Sequence, residues 1–173
     1  MPRTESLPLI ETSFRPAAAT SIEPPFATLR KSTLQRPSEL RVLLVDDCPV
    51  QLLLGCVLLA RWKIVPALAA DGLEAVLLAR EQEFDLLLMD VEMPVMDGLA
   101  ATRRIRQHER ECHGARRVPV VAYTGSASTL VPREWLDSGM DAVLDKPSSE
   151  LIMGECLERW CPDKVRGLEQ SIP

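Results

Sequence analysis

The stretch FDLLLMDVEMPVMDG, residues 84–98, is the part of the sequence that decides the fold. It starts as an apolar run of strand length and then changes abruptly to Asp90, Pro94 and the turn-forming pair Asp97 and Gly98. Taken alone, Asp90 is either the cap of a turn or a functional carboxylate at the end of a buried strand. The flanking sequence has to separate these two interpretations.

Strand-length apolar runs and helical segments alternate on both sides of this stretch. Strands are predicted at 41–45, 63–69, 84–89, 118–123 and 141–145, with helices at 50–59, 71–80, 98–110, 132–138 and 149–160. The predicted core face of the first helix consists of Val50, Leu53, Leu54, Val57 and Leu58. Parallel strands need crossover helices that cover both faces of the sheet. The fold class is therefore α/β, a doubly wound, five-stranded parallel sheet with helices on both faces.

Pro66 indicates where the second strand lies in this sheet. A proline inside a strand removes a hydrogen-bond donor and is tolerated mainly at an edge, so strand 2 is predicted to be an edge strand. This favours the order 2-1-3-4-5, which puts strand 3 beside strand 1 at the point where open α/β sheets bind ligands. Asp90 then lies next to the end of strand 1.

Composition and charge exclude several classes of protein. The chain has 173 residues, 46% of them hydrophobic, and a net charge of −5, which suits one aliphatic core and argues against a nucleic-acid partner. A basic run is interpreted as a solvated helix face and comprises Arg103, Arg104, Arg106, Arg110, Arg116 and Arg117. Five cysteines without a Cys-x-x-Cys motif favour reduced thiols over disulfides or a zinc site.

One folded domain in the cytoplasm is expected. No apolar stretch reaches the roughly 18 residues of a membrane span, and the N-terminus lacks the apolar core of a secretory signal. Residues 1–39 are rich in Pro, Ser and Thr and are predicted to form a disordered arm. The predicted domain covers 40–160, and 161–173 is predicted to be a short tail.

Polar and charged residues follow four of the predicted strands at one edge of the sheet. Asp46 and Asp47 follow strand 1, and Asp90 follows strand 3. Two carboxylates about 4 Å apart repel each other by roughly 4 kcal/mol at an intermediate dielectric, which is enough to raise a pKa or to require a counter-ion. Oxygen ligands without imidazole or thiolate suit Mg²⁺. With Thr124 after strand 4 and Lys146 after strand 5, the set is typical of phosphoryl transfer to a carboxylate, with Asp90 as nucleophile.

The chain resembles the response-regulator receiver domains of two-component signalling over about residues 40–160. The resemblance is carried by VDD at 45–47, MDVEMPVMDG at 89–98, AYTG at 122–125 and GMDAVLDKP at 139–147. The second of these motifs is especially similar to receivers of hybrid histidine kinases. The resemblance implies a flavodoxin-like sheet and a phosphorylation switch, not a metabolic enzyme. It also implies a histidine kinase or histidine phosphotransfer protein as phosphoryl donor, with output through a phosphorelay or contacts with a downstream protein.

The resemblance assigns roles to individual residues. The implied Mg²⁺ ligands are Asp46, Asp47, Asp90 and the backbone carbonyl of Glu92. Asp90 is the implied phosphoacceptor, and Thr124 and Lys146 are implied to contact the phosphoryl oxygens. The peptide bond between Lys146 and Pro147 is implied to be cis, which is uncommon for X-Pro bonds in folded proteins.

The sequence departs from the family pattern at Val143, where receivers commonly have an aromatic residue three positions before the lysine. In the family, this ring moves inward when the hydroxyl residue is pulled toward the phosphate. The hydroxyl residue, Thr124, is present here, while the aromatic ring is absent. Two alternatives to phosphoacceptance stay open: a receiver-fold interaction module that works without phosphorylation, and a phosphohydrolase that forms an aspartyl phosphate. Such hydrolases typically use an Asp-x-Asp pair, whereas Asp90 is followed two positions later by Glu92.

Overall fold

The computed structural model describes residues 40–112, 116–125 and 132–169, and the predicted arm at 1–39 lies outside these ranges. Strands and helices alternate through the described residues. The strands are β1 (Val42–Val45), β2 (Ala67–Ala69), β3 (Leu86–Met89), β4 (Val120–Thr124) and β5 (Ala142–Asp145). The helices are α1 (Pro49–Ala60), α2 (Gly72–Glu81), α3 (Gly98–Glu111), α4 (Pro132–Ser138), α5 (Glu150–Trp160) and α6 (Pro162–Glu169).

The strands form one parallel sheet in the order β2-β1-β3-β4-β5, which confirms the predicted topology. Successive residues of a strand point to opposite faces, so β1 contributes Val42 and Leu44 to one core cluster and Leu43 and Val45 to another. The first cluster includes buried residues of α1 and α5, and the second includes those of α2 and α3. Because helices cover both faces, the strands are apolar at nearly every position.

The second strand is shorter than predicted. Residues 63–69 are predicted as a strand, but β2 begins at Ala67, directly after Pro66. Proline has no N–H to donate, so the ladder with β1 starts only where Ala67 pairs with Leu43. The edge position of β2 is as predicted, although Pro66 precedes the strand and does not interrupt it.

Helix α1 buries a different face from the predicted one. Its buried residues are Leu52, Gly55 and Leu59, whereas Val50, Leu53, Leu54 and Val57 are exposed. Apart from Gly55, residues 52–60 are all apolar, so periodicity alone does not select a core face. Gly55 selects it: a Cβ at this position would lie 2.6 Å from Cδ2 of Leu44, so glycine lets the helix pack closely on β1.

Arg106 is buried, which corrects the prediction that the whole basic run is a solvated face. Its Nε donates to the carbonyl of Gly139 at 2.9 Å, and Nη1 donates to the carbonyl of Val118 at 2.8 Å. The guanidinium also pairs with the carboxylates of Glu109 at 2.8 Å and Asp141 at 2.9 Å. A guanidinium can be buried when its nitrogens meet acceptors in this way. Apart from Glu109, the partners lie 12 to 35 positions away in sequence, so a local pattern does not reveal them.

Helix α6 occupies most of the segment that is predicted to be a short tail. Its flanking Cys161 and its own Val165 are buried in the first core cluster. Nζ of Lys164 lies 2.7 Å from Oδ2 of Asp85, a carboxylate with only 2% of its side chain exposed. This oxygen also accepts the backbone N–H of Arg41 at 2.8 Å. The helix is therefore packed onto the amino edge of the sheet. Within the described ranges, no helix is long and apolar enough to cross a bilayer.

Candidate functional site

The carboxyl ends of β1 and β3 bring three carboxylates together. Val45 and Met89 are paired across the two strands, so the acids that follow them, Asp46 and Asp90, are also neighbours. The backbone N–H of Asp90 donates to the carbonyl of Val45 at 2.9 Å and continues the ladder by one step. Each of Asp46, Asp47 and Asp90 offers an oxygen, and these oxygens lie within 4.8 Å of one another. Asp46 is buried, Asp90 is partly buried and Asp47 is exposed to solvent.

Backbone amides orient two of these carboxylates. Oδ1 of Asp46 accepts the N–H of Cys48 at 2.9 Å, at the point where α1 begins. Oδ1 of Asp90 accepts the N–H of Val91 at 2.7 Å. Each acid therefore keeps its Oδ2 atom for other partners, and both Oδ2 atoms point to the same ammonium.

Lys146 provides this ammonium from the end of β5. Its Nζ forms ion pairs with Oδ2 of Asp46 and, at 3.1 Å, with Oδ2 of Asp90. The side chain is 5% exposed, so these pairs are shielded from water and are stronger than surface pairs. The peptide bond between Lys146 and Pro147 is cis, which confirms the conformation that the sequence resemblance implies.

Thr124 and Glu92 occupy different environments around this cluster. Thr124 is buried at the end of β4, and its carbonyl accepts the backbone N–H of Lys146 at 3.0 Å. Glu92 is exposed in the loop between β3 and α3, two positions after Asp90. The roles predicted for the Thr124 hydroxyl and the Glu92 carbonyl stay predictions.

Two glycines let the loop after Asp90 pack tightly between helices. A Cβ on Gly98 would lie 2.0 Å from the carbonyl oxygen of Asp90, and a Cβ on Gly72 would lie 2.4 Å from the carbonyl oxygen of Met96. Both contacts are impossible for a larger residue without a backbone shift. Asp97 caps α3 by accepting the N–H of Ala100. The Asp-Gly pair of the opening motif therefore closes the loop and starts α3 beside the acid cluster.

The ring of Tyr123 contacts the ammonium of Lys146 beside the acid cluster. Strand alternation predicts that its ring points away from Thr124 into the core, and the ring does lie in the first core cluster. Nζ of Lys146 also lies over this ring, 5.3 Å from its centroid. The sequence places an aromatic residue near the end of the strand next to the one that Lys146 follows, but it does not show that the ammonium reaches back to the ring.

The donor set of this cluster fits Mg²⁺. Three carboxylates and one ammonium leave a formal charge of −2, and the candidate ligand atoms are all carboxylate oxygens. Magnesium binds through one or two carboxylates while keeping several waters, and exposed Asp47 leaves the cluster open to solvent. Among the described residues, this is the only group of three or more acidic, histidine or cysteine residues close enough to share a metal ion.

A sequence model of the response regulator receiver domain matches residues 42–155. The chain belongs to the response-regulator receiver family. The receiver is 42% identical over 120 residues to sensor histidine kinase GacS of Pseudomonas protegens, a match that covers 69% of this chain and 13% of GacS. It is 41% identical over 126 residues to hybrid signal transduction histidine kinase G of Dictyostelium discoideum, covering 72% of this chain and 4% of that kinase. The chain thus spans only a small part of these relatives.

Solved receiver structures have the same fold. One is the receiver domain of a sensor histidine kinase from Pseudomonas aeruginosa PAO1, with a magnesium ion coordinated in its active-site cleft. It has 35% identity and a TM-score of 0.62, covering 70% of this chain and 97% of that one. Another is the receiver domain of the Saccharomyces cerevisiae response regulator Ssk1, co-crystallised with the histidine phosphotransfer protein Ypd1. It has 32% identity and a TM-score of 0.63, covering 70% and 88%. These neighbours confirm the flavodoxin-like receiver fold that the sequence motifs implied.

Proposed function

We propose that this receiver accepts a phosphoryl group on Asp90 from a phosphohistidine of a histidine kinase or a histidine phosphotransfer protein, in a magnesium-dependent step. The observation that carries the proposal is the meeting of Asp46, Asp47 and Asp90 with the buried ammonium of Lys146 at one edge of the sheet. We infer a phosphoacceptor switch and not a metabolic enzyme, because hydrolases that form an aspartyl phosphate typically use an Asp-x-Asp pair, whereas Asp90 is followed two positions later by Glu92.

The transfer forms one bond and breaks one bond. A carboxylate oxygen of Asp90 forms an O–P bond while the P–N bond of the donor breaks, and the imidazole leaves with the electron pair of that bond. Lys146 already neutralises Oδ2 of Asp90 at 3.1 Å and is within reach of a phosphoryl oxygen on that carboxylate. Magnesium held by Asp46, Asp47, Asp90 and the Glu92 carbonyl would supply further neutralisation of the phosphoryl oxygens. Thr124 is the proposed hydroxyl contact.

The exposed apolar face of α1 is the proposed docking surface for the phosphohistidine protein. It consists of Val50, Leu53, Leu54 and Val57. The helix begins beside the acid cluster, since the N–H of Cys48 donates to Oδ1 of Asp46. An apolar row of this kind on a water-facing helix marks an interaction site. The partner of the Ssk1 receiver, a histidine phosphotransfer protein, is the class of protein we assign to this surface.

Phosphorylation by acetyl phosphate tests the assignment of Asp90. With magnesium present, the wild-type chain is expected to gain one hydroxylamine-sensitive phosphate by intact mass, with release of acetate. Asp90→Asn is expected to abolish the label, as is omission of magnesium. Asp97→Asn is the matched control, because it removes an acid from the same loop and keeps an N-cap.

The alternatives predict other results. A label that persists in Asp90→Asn would place the acceptor elsewhere. A wild-type chain that takes up no phosphate would favour a receiver-fold interaction module that works without phosphorylation. Steady release of inorganic phosphate from phosphate esters would favour a phosphohydrolase.

A further inference from the structure

We propose that Tyr123 is a positioning residue whose ring holds the ammonium of Lys146 at the acid cluster. The contact stands on geometry alone, and its consequence for phosphorylation rests on the function proposed above. Nothing in the motif pattern assigns a role to an aromatic residue at this position. The nearest expectation is core packing, which any apolar side chain of similar size would satisfy.

The geometry is that of a shielded cation–π contact. Nζ of Lys146 lies 5.3 Å from the ring centroid, inside the roughly 6 Å range of such contacts. Tyr123 is 5% exposed and the Lys146 side chain is 5% exposed. Water therefore screens little of the attraction between the cation and the negative face of the ring. The ring itself is fixed, because it is part of the first core cluster.

The ring differs from the other side chains that contact this ammonium in the described residues. Asp46 and Asp90 are the carboxylates that a metal ion and a phosphoryl group would engage, so their availability to Lys146 changes during the reaction. An aromatic ring, by contrast, is not a ligand for Mg²⁺, which binds oxygen atoms. It keeps the ammonium over the cluster when the carboxylates turn to other partners, so Lys146 need not find its position again when a phosphoryl oxygen arrives.

Graded fluorination of the ring separates this role from simple packing. The full-length chain is prepared with Tyr123→Phe and with phenylalanines at position 123 that have one, two or three fluorines. Fluorine weakens the negative face of the ring while its size changes little. The rate of phosphorylation by acetyl phosphate is expected to be kept in Tyr123→Phe and to fall stepwise with fluorine number, by about tenfold over the series. The same series at Phe84, a buried ring of the second core cluster, is the control and is expected to show no trend.

An NMR measurement on the metal-free, donor-free chain tests the contact independently of phosphorylation. The ε-methylene protons of Lys146 are expected to be shifted upfield by the ring in the wild type and in Tyr123→Phe, and to lose this shift in Tyr123→Leu. Protons that do not respond to Tyr123→Leu overturn the proposal whatever the phosphorylation assay gives. If the protons respond but the phosphorylation rate stays constant across the fluorine series, the positioning role is overturned. Responsive protons in a chain that takes no phosphate support the held ammonium and overturn only the proposed function.

Discussion

Val95 holds a backbone conformation that β-branched residues rarely adopt. Its φ is +67°, and the N–H of Met96 donates to the carbonyl of Pro94 at 2.7 Å, which closes a tight turn around Val95. The side chain is 81% exposed, so no burial compensates the strain. The strain lies in the loop that follows the candidate phosphoacceptor, where strained residues often serve a function.

Val95→Gly is expected to stabilise the fold. Glycine adopts positive φ without a Cβ clash, and this relief of about 1–2 kcal/mol exceeds the entropy cost of glycine, which leaves a net gain of about 0.5–1 kcal/mol. Urea denaturation with an unchanged m-value measures the gain. Val65→Gly is the control, since Val65 is also exposed but is not among the positive-φ residues, and it should lose stability. An equal loss in both variants would refute the strain.

The residues of the candidate site differ in how far the sequence predicts them. Asp46, Asp90 and Lys146 follow apolar strands, and parallel strands end at the same sheet edge, so their meeting follows from topology. The Tyr123 ring contact and the Val95 turn do not follow from topology. The ring contact depends on how far the Lys146 side chain extends, and the turn depends on the φ angle of Val95. A pattern of apolar and polar residues encodes neither.

Helix α1 has an exposed apolar face whose proposed role can be separated from the chemistry. Leu53→Glu is expected to slow phosphoryl transfer from a phosphorylated histidine phosphotransfer protein by roughly tenfold or more, because truncating or charging a central docking residue costs on the order of 2 kcal/mol. Phosphorylation by acetyl phosphate should stay unchanged, since that donor needs no docking surface. The control is Leu77→Glu, an exposed leucine on α2. Equal slowing with both donors would show damage to the site, not lost docking.

Helix α6 is joined to the sheet by a partly buried ion pair. Lys164→Met is expected to lower the free energy of unfolding by about 1–3 kcal/mol, because Asp85 loses a charge-assisted hydrogen bond at 2.7 Å. Asp85 keeps the N–H of Arg41, which limits the loss. Arg166→Met, at an exposed position of the same helix, is the control and should cost little. Thermal or urea unfolding distinguishes the two variants, and equal stabilities would exclude the pair as a stabilising contact.

Elements are predictable here to the extent that their patterns are long and contrasted. The alternation that produces β1, β3, β4 and β5 is clear, because each run is apolar and bounded by polar residues. The predicted core face of α1 was wrong because nearly the whole helix is apolar. Helix α6 was missed because, among its residues of described burial, only Val165 is buried, and Lys164 pairs with an acid 79 positions away in sequence.

The whole molecule is expected to lose stability in alkaline solution through two thiols. Burial raises the pKa of Cys156 and of Cys161 from 9.0 to about 11, and the nearby Asp85 carboxylate adds to the rise for Cys161. The unfolded chain ionises these thiols at lower pH than the folded chain does. Their contribution is therefore complete below pH 9 and is lost as the pH rises towards about 11.

The pH dependence of urea denaturation measures this loss. Each thiol adds at most ~1.4 kcal/mol per pH unit to the slope of the unfolding free energy. A chain with Cys156→Ala and Cys161→Ala is expected to be less stable at neutral pH but to show a shallower alkaline slope. Cys112→Ala, at an exposed cysteine, should keep the wild-type slope. Parallel slopes in all three chains would contradict the assignment.

The architecture of the whole molecule was the most predictable level. The edge position of strand 2 predicted the strand order. The strand order in turn predicted that the acids after strands 1 and 3 lie side by side. The sequence did not reveal how α3, β4 and β5 are linked at the amino edge of the sheet. In sequence, Arg106, Glu109 and Asp141 look like ordinary surface charges.

Arg106 and its partners link three elements at the amino edge of the sheet. One guanidinium ties α3 to the start of β4 and to the turn before β5, at the end of the sheet remote from Asp90. Because Thr124 and Lys146 lie at the other ends of β4 and β5, these bonds hold the two strands in place without contacting the candidate site.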